Sequence, residues 1–397
     1  MTREPGSRDG SPLRIAYVLG TTAGGTGTHV AMLAQGCAAR GMAARVFGPA
    51  VTGRRYFPGA GGAGGPDGSP GFAAVEIGAR PRPGRDLAAV LRLRRVLRDW
   101  SPDVVHAHGL RAGAFAALAG CPGALVVTVH NAPPSAGLSR IVHAMLERLT
   151  ARRAQAVTWV SSDLAARMRR AGARDGGRAV VAAATFPAPA ADQIAAARAS
   201  LAGAGSPAVF AAGRLAEQKG FTVLLDAAAR WQASGPVPVL AIAGEGPLAG
   251  ALDAQARAAG VPVRFLGRRA DVPALMMAAD VVVVPSLWDG QPLVVQEALR
   301  AGRPVVASRV GGIPDLTGED GALLVPPGDA AALAGAVLTV LDDPGVAARL
   351  SDAATERARK LPDADDAVNS VLALYERLIR AAASRLDQKT RNRLQHV

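Results

Sequence analysis

Short apolar runs rich in Val, Ile, Leu and Ala recur along this chain, most of them closing on polar or glycine residues and leading into a helical stretch. LRIAYVL (13–19) precedes a Gly-rich turn and the helix THVAMLAQGCAAR (28–40), and ARVFG (44–48) follows. After the amphipathic helix RDLAAVLRLRRVLRDW (85–100) come DVVHAHG (103–109), ALVVTVH (124–130) and AVTWVSS (156–162). Alternation of this kind predicts a parallel sheet covered by helices on both faces, because parallel neighbours need a long crossover that a helix supplies. Such sheets bind ligands outside the carboxyl ends of their strands. The polar residues that close these runs therefore fall where a site is expected.

AAATFPAPAAD (182–192) interrupts the pattern and reads as a linker. The alternation then restarts, with strands expected at AVFAAGRL (208–215), PVLAIAGEG (238–246), VRFLG (263–267), DVVVVPS (280–286) and PVVAS (304–308). A chain of 397 residues has room for two domains. The expected fold class is α/β, with two Rossmann-like doubly wound domains facing across a cleft that holds the active site. The first covers residues 13–190 and the second 191–383, with the last helix able to pack back on the first domain. Residues 1–12 are expected to be disordered, 59–71 a flexible Gly-rich loop, and 384–397 a frayed tail.

A hydrophobic fraction of 49% supports a large core. Cys37 and Cys121 make no disulfide framework, and a reducing compartment fits them. The first residues, MTREPGSRDGSP, lack the apolar region of a signal peptide. With no apolar run of about 18 residues either, a cytoplasmic chain is expected. The net charge of +13 is unevenly placed: residues 1–190 carry 24 Lys+Arg against 10 Asp+Glu, the remainder 21 against 22. A basic half attracts an anionic membrane face, nucleic acid or a phosphorylated substrate; equally, it is what arginine-rich solvated helix faces produce. Aromatic residues are only 4% and form no basic–aromatic platform, which argues against nucleic acid as a partner. Lysine occurs only as Lys219, Lys360 and Lys389. Where so Arg-rich a chain uses lysine, a compact point charge is the distinguishing property.

Several turns combine glycine with chemistry-bearing residues. GGTGTHV (24–30) opens the first helix, where Gly24 and Gly25 let backbone approach a ligand and the helix N-terminus favours an anion. A plain turn explains it as well, since the G-x-G-x-x-G spacing is missing. In AAGRLAEQKGF (211–221), Arg214 and Lys219 converge in one loop and suit a diphosphate; the bland alternative is a solvated loop. Glu245 closes another strand in GEG (244–246). In WDGQPLVVQEALRAG (288–302), Asp289 is either a helix N-cap or a ligand group. Pro292 suits a first helical turn, which would leave the N–H groups of Gly290, Gln291 and Leu293 free for an oxygen ligand. Glu297, amid apolar neighbours on that helix, needs a partner such as a ribose diol. His106, His108 and His130 close two neighbouring strands, and His29 starts the first helix. No zinc-binding spacing accompanies them and no metal is expected; His130 reads as a hydrogen-bonding ligand group, His106 as a core residue.

Taken in order, GG (24–25), DVVHAHG, TVH (128–130), VSS (160–162), GRLAEQKG, GEGP (244–247), LG (266–267), PS (285–286), DGQPLVVQEALRAG and GGIPD (311–315) resemble the retaining glycosyltransferases of family 4, over about residues 13–380. That resemblance implies the GT-B fold and a nucleotide-diphosphate sugar as co-substrate, held mainly by the second domain. It implies no cofactor and no required metal. By position, Arg214 and Lys219 resemble the pair that grips the diphosphate, and Glu297 the acid on the ribose hydroxyls. Asp289 falls at the acid near the transferred sugar, with Gly290, Gln291, Pro292 and Leu293 close to sugar and phosphate. His130 resembles the histidine near the reaction centre. Gly25 and Thr26 would meet the donor phosphate or the acceptor, and Leu266 and Gly267 would border the nucleobase. The family usually has Glu at the position of Asp289, so reach to the sugar is changed; Asp315 replaces the Glu of its GGIPE run.

The resemblance implies front-face departure and attack, with the β-phosphate oxygen taking the acceptor's proton, and closure of the domains over the donor. The expected reaction is transfer of a hexosyl-type sugar to a hydroxyl of a lipid-linked, cell-envelope or glycan acceptor. The Arg-rich helix at 85–100 suggests peripheral docking on the inner membrane face. Competing readings are a sugar-nucleotide epimerase of related fold and a basic nucleic-acid-binding protein.

Overall fold

The computed structural model describes residues 11–22, 24–61, 69–130, 138–202, 205–231 and 237–394. The chain divides into two compact units, Met1–Val181 with Ala364–Val397, and Ala182–Asp363. The first unit contains β1 (Arg14–Leu19), α1 (Gly25–Ala38), β2 (Ala43–Gly48), α2 (Ala50–Tyr56), β3 (Gly71–Ala74), α3 (Pro83–Trp100), β4 (Val104–His108) and α4 (Leu110–Ala119). It continues through β5 (Ala124–Val129), α5 (Leu138–Arg153), β6 (Ala156–Trp159), α6 (Ser162–Ala171) and β7 (Gly176–Arg178). Its seven strands pair in the order β3-β2-β1-β4-β5-β6-β7, all parallel.

The second unit begins with α7 (Ala191–Leu201), β8 (Ala208–Ala212), α8 (Phe221–Trp231), β9 (Val239–Ala243), α9 (Ala249–Ala258) and β10 (Val263–Gly267). Then follow α10 (Val272–Ala278), β11 (Val281–Val284), α11 (Leu293–Arg300), β12 (Val305–Ser308), α12 (Ile313–Thr317), β13 (Leu323–Val325), α13 (Ala330–Asp342) and α14 (Pro344–Ala358). The sheet order is β10-β9-β8-β11-β12-β13. Both sheets thus reverse their winding after the third strand, beside β1 and β4 in one unit and β8 and β11 in the other. That reversal separates the loops leaving neighbouring strands and opens a crevice at the carboxyl edge.

Burial explains the strands. β4, β6, β11 and β12 are buried along their whole length, as central parallel strands covered on both faces must be. In the second unit Phe210, Met276 and Leu299 pack on one face of the sheet, and Leu224, Trp231 and Val337 on the other.

The last helix, α15 (Ala364–Leu394), belongs to the first unit. Ala367, Val368, Leu372, Tyr375 and Leu378 recur at helical spacing and bury against α1 residues such as Val30 and Leu33. Gly36 makes that contact close, since a Cβ there would lie 2.4 Å from Val368 Cγ2. Arg40 pairs with Asp365 at 2.7 Å, and Arg377 with Asp175 at 2.6 Å. The division between the units falls at 181/182, at the start of the stretch expected as a linker, and the Ala183 N–H donates to Gln296 Oε1. Residues 384–394 continue α15 and are not frayed. Residues 1–10 of the expected disordered terminus and 62–68 of the expected loop lie outside the described residues.

Candidate active site

In the second unit the loops leaving β8 and β11, the two strands at the winding reversal, are stitched together. The Leu287 N–H donates to the Gln218 carbonyl at 2.9 Å. Gly220, at φ +66°, lies so close to the second loop that a Cβ would sit 2.0 Å from the Pro285 carbonyl oxygen. A third loop joins at Gly311, where a Cβ would sit 1.8 Å from the Asp289 carbonyl oxygen, and the Gly312 N–H donates to that same oxygen at 3.1 Å. Only glycine permits these approaches.

The stitching brings Lys219 and Asp289 together. Lys219 ends a single 3-10 turn, Glu217–Lys219, and its ammonium donates to the Asp289 carboxylate, which also accepts from Ser286 Oγ at 3.3 Å. Asp289 is 8% exposed and the Lys219 side chain 24%, so this ion pair is partly desolvated. Arg214 stands exposed on the same loop and makes no ion pair among the described residues. Asp289 is not an N-cap: α11 starts four residues later, at Leu293, with Pro292 as its cap. Pro292 has no N–H or polar side chain, so the first N–H groups of α11 are left without a capping partner. Gly290 and Pro292 are buried beside this start, and the Gln291 side-chain oxygen is buried without a hydrogen-bond donor among the described residues.

Glu297 lies on α11, one turn beyond Leu293. Burial pushes its carboxyl above the ordinary value, and Arg300 only partly offsets that. No described group hydrogen-bonds it. Such a carboxylate is undersolvated and gains by accepting hydroxyl hydrogens. Glu245 is exposed on the loop after β9, its carbonyl accepting from the Leu215 N–H at 2.9 Å. Leu266 and Gly267 close β10, where the Gly267 carbonyl accepts from the Gly244 N–H at 2.7 Å. All these expected residues therefore sit at one sheet edge.

The first unit gathers the histidines at its own carboxyl edge. His108 Nδ1 and His130 Nε2 are hydrogen-bonded at 3.0 Å, and the two rings stack with centroids 5.3 Å apart. His29, in the second turn of α1 and not at its start, packs edge-on against both. His106 is buried behind them, bonded to Tyr375 Oη at 2.5 Å and Thr128 Oγ1 at 2.7 Å. Burial lowers all four basicities, His29 to about 4, His106 to about 3 and His108 and His130 well below the ordinary value. Near neutral pH the rings are uncharged hydrogen-bonding groups. Among the described residues no three of His, Cys, Asp or Glu are placed to hold a metal ion. Thr26, His108 and His130 line a cavity of about 630 Å³ in this unit, with Gly24 and Gly25 at the adjoining start of α1.

The family described as Glycosyl transferases group 1 matches residues 206–343, and that described as Glycosyltransferase Family 4 matches residues 23–182. The 2-deoxystreptamine glucosyltransferase of Streptomyces kanamyceticus is 31% identical over 318 residues, covering 74% of this chain and 82% of that protein. The chain belongs to the GT-B glycosyltransferases. Two solved structures share the fold of this glycosyltransferase. Anabaena HepE in complex with UDP superposes with a TM-score of 0.75 at 22% identity, over 92% of this chain and 100% of that one. Sucrose-phosphate synthase of Thermosynechococcus elongatus gives 0.77 at 22% identity, over 93% and 100%. As a transferase, the chain is an enzyme, and the epimerase and nucleic-acid readings fall away.

Residues that local sequence did not single out complete both edges of the glycosyltransferase. Ser286 was visible only as part of a Pro-Ser pair, yet it holds Asp289. Tyr375 closes on His106 from 269 positions away, and no local pattern could have linked them.

Proposed function

We propose that this glycosyltransferase moves a hexosyl sugar from a nucleotide-diphosphate sugar to an acceptor hydroxyl with retention, by front-face departure and attack. The Lys219–Asp289 pair at the winding reversal of the second sheet, with Arg214 exposed on the same loop as Lys219, is the observation that carries this reading. A leaving diphosphate gathers negative charge as the glycosidic bond breaks. Lys219 is held in place by Asp289 and Arg214 supplies a second cation, so that charge meets preorganised positive groups in a partly desolvated site. The uncapped start of α11 adds N–H donors for phosphate or sugar oxygens. Glu297 takes the ribose hydroxyls, which satisfy the carboxylate that burial leaves short of partners. His130 contributes an uncharged ring hydrogen bond, its second nitrogen oriented by His108. The β-phosphate oxygen removes the acceptor's proton, and catalysis consists of positioning and charge stabilisation without a required metal.

UDP is the nucleotide to test first, because HepE of the same fold was crystallised with UDP and with UDP-glucose. The acceptor belongs to the lipid-linked, cell-envelope or glycan class, and the enzyme works on the cytoplasmic side of an anionic membrane. α3 supports that docking: Leu87 and Leu91 are 62% and 56% exposed on one stripe, among exposed Arg85, Arg92, Arg94, Arg95 and Arg98. Among the described residues no single helix is long and apolar enough to cross a membrane. The decisive measurement is product analysis with UDP-glucose and an alcohol acceptor. An α-linked product is expected, whereas a β-linked product refutes retention.

A further inference from the structure

We propose that the cavity of the first unit takes the acceptor as an uncharged hydroxyl carried on an apolar body, and rejects amines and phosphates. This rests on the reading of the chain as a transferase to hydroxyls, and names the class of molecule that bears the hydroxyl. The cavity, about 630 Å³, is of the size that encloses a drug-sized molecule. Leu19, Pro81, Leu110, Val129, Val142 and Leu146 give its wall large apolar side chains. Thr21, Thr26, His108 and His130 place hydrogen-bonding groups around the same space.

The one charge in the wall of this space is paired, while Arg80, Arg82 and Arg85 beside Pro81 are exposed to water. Arg111 is the one arginine in the wall, and no Lys, Asp or Glu lines it among the described residues. Its Nη2 lies 2.9 Å from Asp86 Oδ1 and its Nε donates to the Gly78 carbonyl at 2.7 Å. Behind the α5 wall the carboxylate of Glu147, 5% exposed, takes both arms of the Arg167 fork at 2.9 Å each. His143 lines the cavity one turn before Glu147, but its Nε2 stands 3.6 Å from Glu147 Oε1, too far for a hydrogen bond. Burial also keeps His143, His108 and His130 from charging at neutral pH. A cation or anion entering this space loses its hydration and finds no unpaired counter-charge in the described wall, whereas an apolar body gains by leaving water. The Streptomyces relative is named for 2-deoxystreptamine, a diamine that is cationic at neutral pH. This chain's cavity is built for a different acceptor.

The test is calorimetric titration of the full chain with n-octyl β-D-glucoside below its critical micelle concentration, D-glucose, glucose 6-phosphate and 2-deoxystreptamine. Octyl glucoside should bind at least tenfold more tightly than glucose, and the two charged probes more weakly than glucose. Leu146→Asp should weaken octyl glucoside at least tenfold and bring in 2-deoxystreptamine; Val142→Asp, on the preceding turn, gives the same outcome should Leu146→Asp misfold. Hexadecyl β-D-glucoside in phosphatidylcholine vesicles separates sources: tighter binding there assigns a lipid alcohol, tighter binding in solution a free one. Either charged probe binding the wild type as tightly as octyl glucoside overturns the proposal. So does octyl glucoside affinity that neither aspartate changes. UDP-glucose titrated alone tests the transferase reading separately, because loss of donor binding with the acceptor pattern intact counts against that reading only.

Discussion

Replacing Lys219 with Met removes the ammonium while keeping most of the stem. Its side chain is 24% exposed and that of Asp289 11%, so the pair lies between a surface ion pair and a buried one. A surface pair contributes about 0.2–1 kcal/mol and breaking a buried one costs about 3–5, which places the folding cost of Lys219→Met near 1–2 kcal/mol. Ser286 still donates to Asp289, which limits the loss. The cost to transfer is larger, because the cation meets charge that develops only as the diphosphate leaves. Loss of one such preorganised group lowers turnover by about 10²–10³, or roughly 3–4 kcal/mol. Asp289→Asn should share part of this loss by freeing Lys219 from its fixed position. The double variant should then be no slower than the slower single, a coupling of about 1–3 kcal/mol. The assay is UDP release from UDP-glucose with a hydroxyl acceptor, beside urea denaturation of each variant. The reasoning fails if Lys219→Met turns over within threefold of wild type with its urea midpoint unchanged, or if the two substitutions act additively on the rate.

Three further outcomes follow from the same geometry. Gly220→Ala would place a Cβ 2.0 Å from the Pro285 carbonyl at a left-handed backbone position, so urea denaturation should show a loss of at least about 2 kcal/mol, together with lost turnover as the two loops part. Glu297→Gln should weaken UDP-glucose binding by about 1.5–3 kcal/mol in calorimetry. Its raised pKa means that stability is given up as pH rises past the ordinary carboxyl range, so the same variant should melt no lower than wild type at pH 8; a clear drop there would refute the assignment. The buried histidines bind fewer protons folded than unfolded below about pH 6.5, so stability is full above that pH and falls as pH drops through it. His29, depressed to about 4, accounts for roughly 3 kcal/mol of that loss by pH 4, and His29→Leu should flatten urea midpoints measured from pH 7.5 to 4.5.

Ten of the strands were legible as apolar runs, and all but β10 lie inside their sheets, where neighbours and helices cover them. β3, β7 and β13 were not, and each is a short edge strand with mixed burial. An edge strand is covered on fewer sides and needs less apolar sequence, so GGR at β7 carries no strand signal. At the site, Arg214, Lys219, Asp289 and Glu297 were legible because a rare lysine, a Gly-flanked acid and an acid amid apolar neighbours each break the local rule. The N-cap alternative for Asp289 was equally legible and did not hold, since where a helix starts depends on how the chain enters it from the preceding loop.

The sequence alone determined the doubly wound class, the count of two sheets and the sheet edge at which the candidate residues lie. Those properties follow from periodicity and burial, which repeat locally along the chain. Tertiary structure decided which charges are free. Lys219 is spent on Asp289 across 70 positions, Arg111 on Asp86 and Arg167 on Glu147, while Arg214 and Glu297 keep no such partner among the described residues. Ion pairing depends on distances of a few ångströms between residues remote in sequence, and only the packed fold sets those distances.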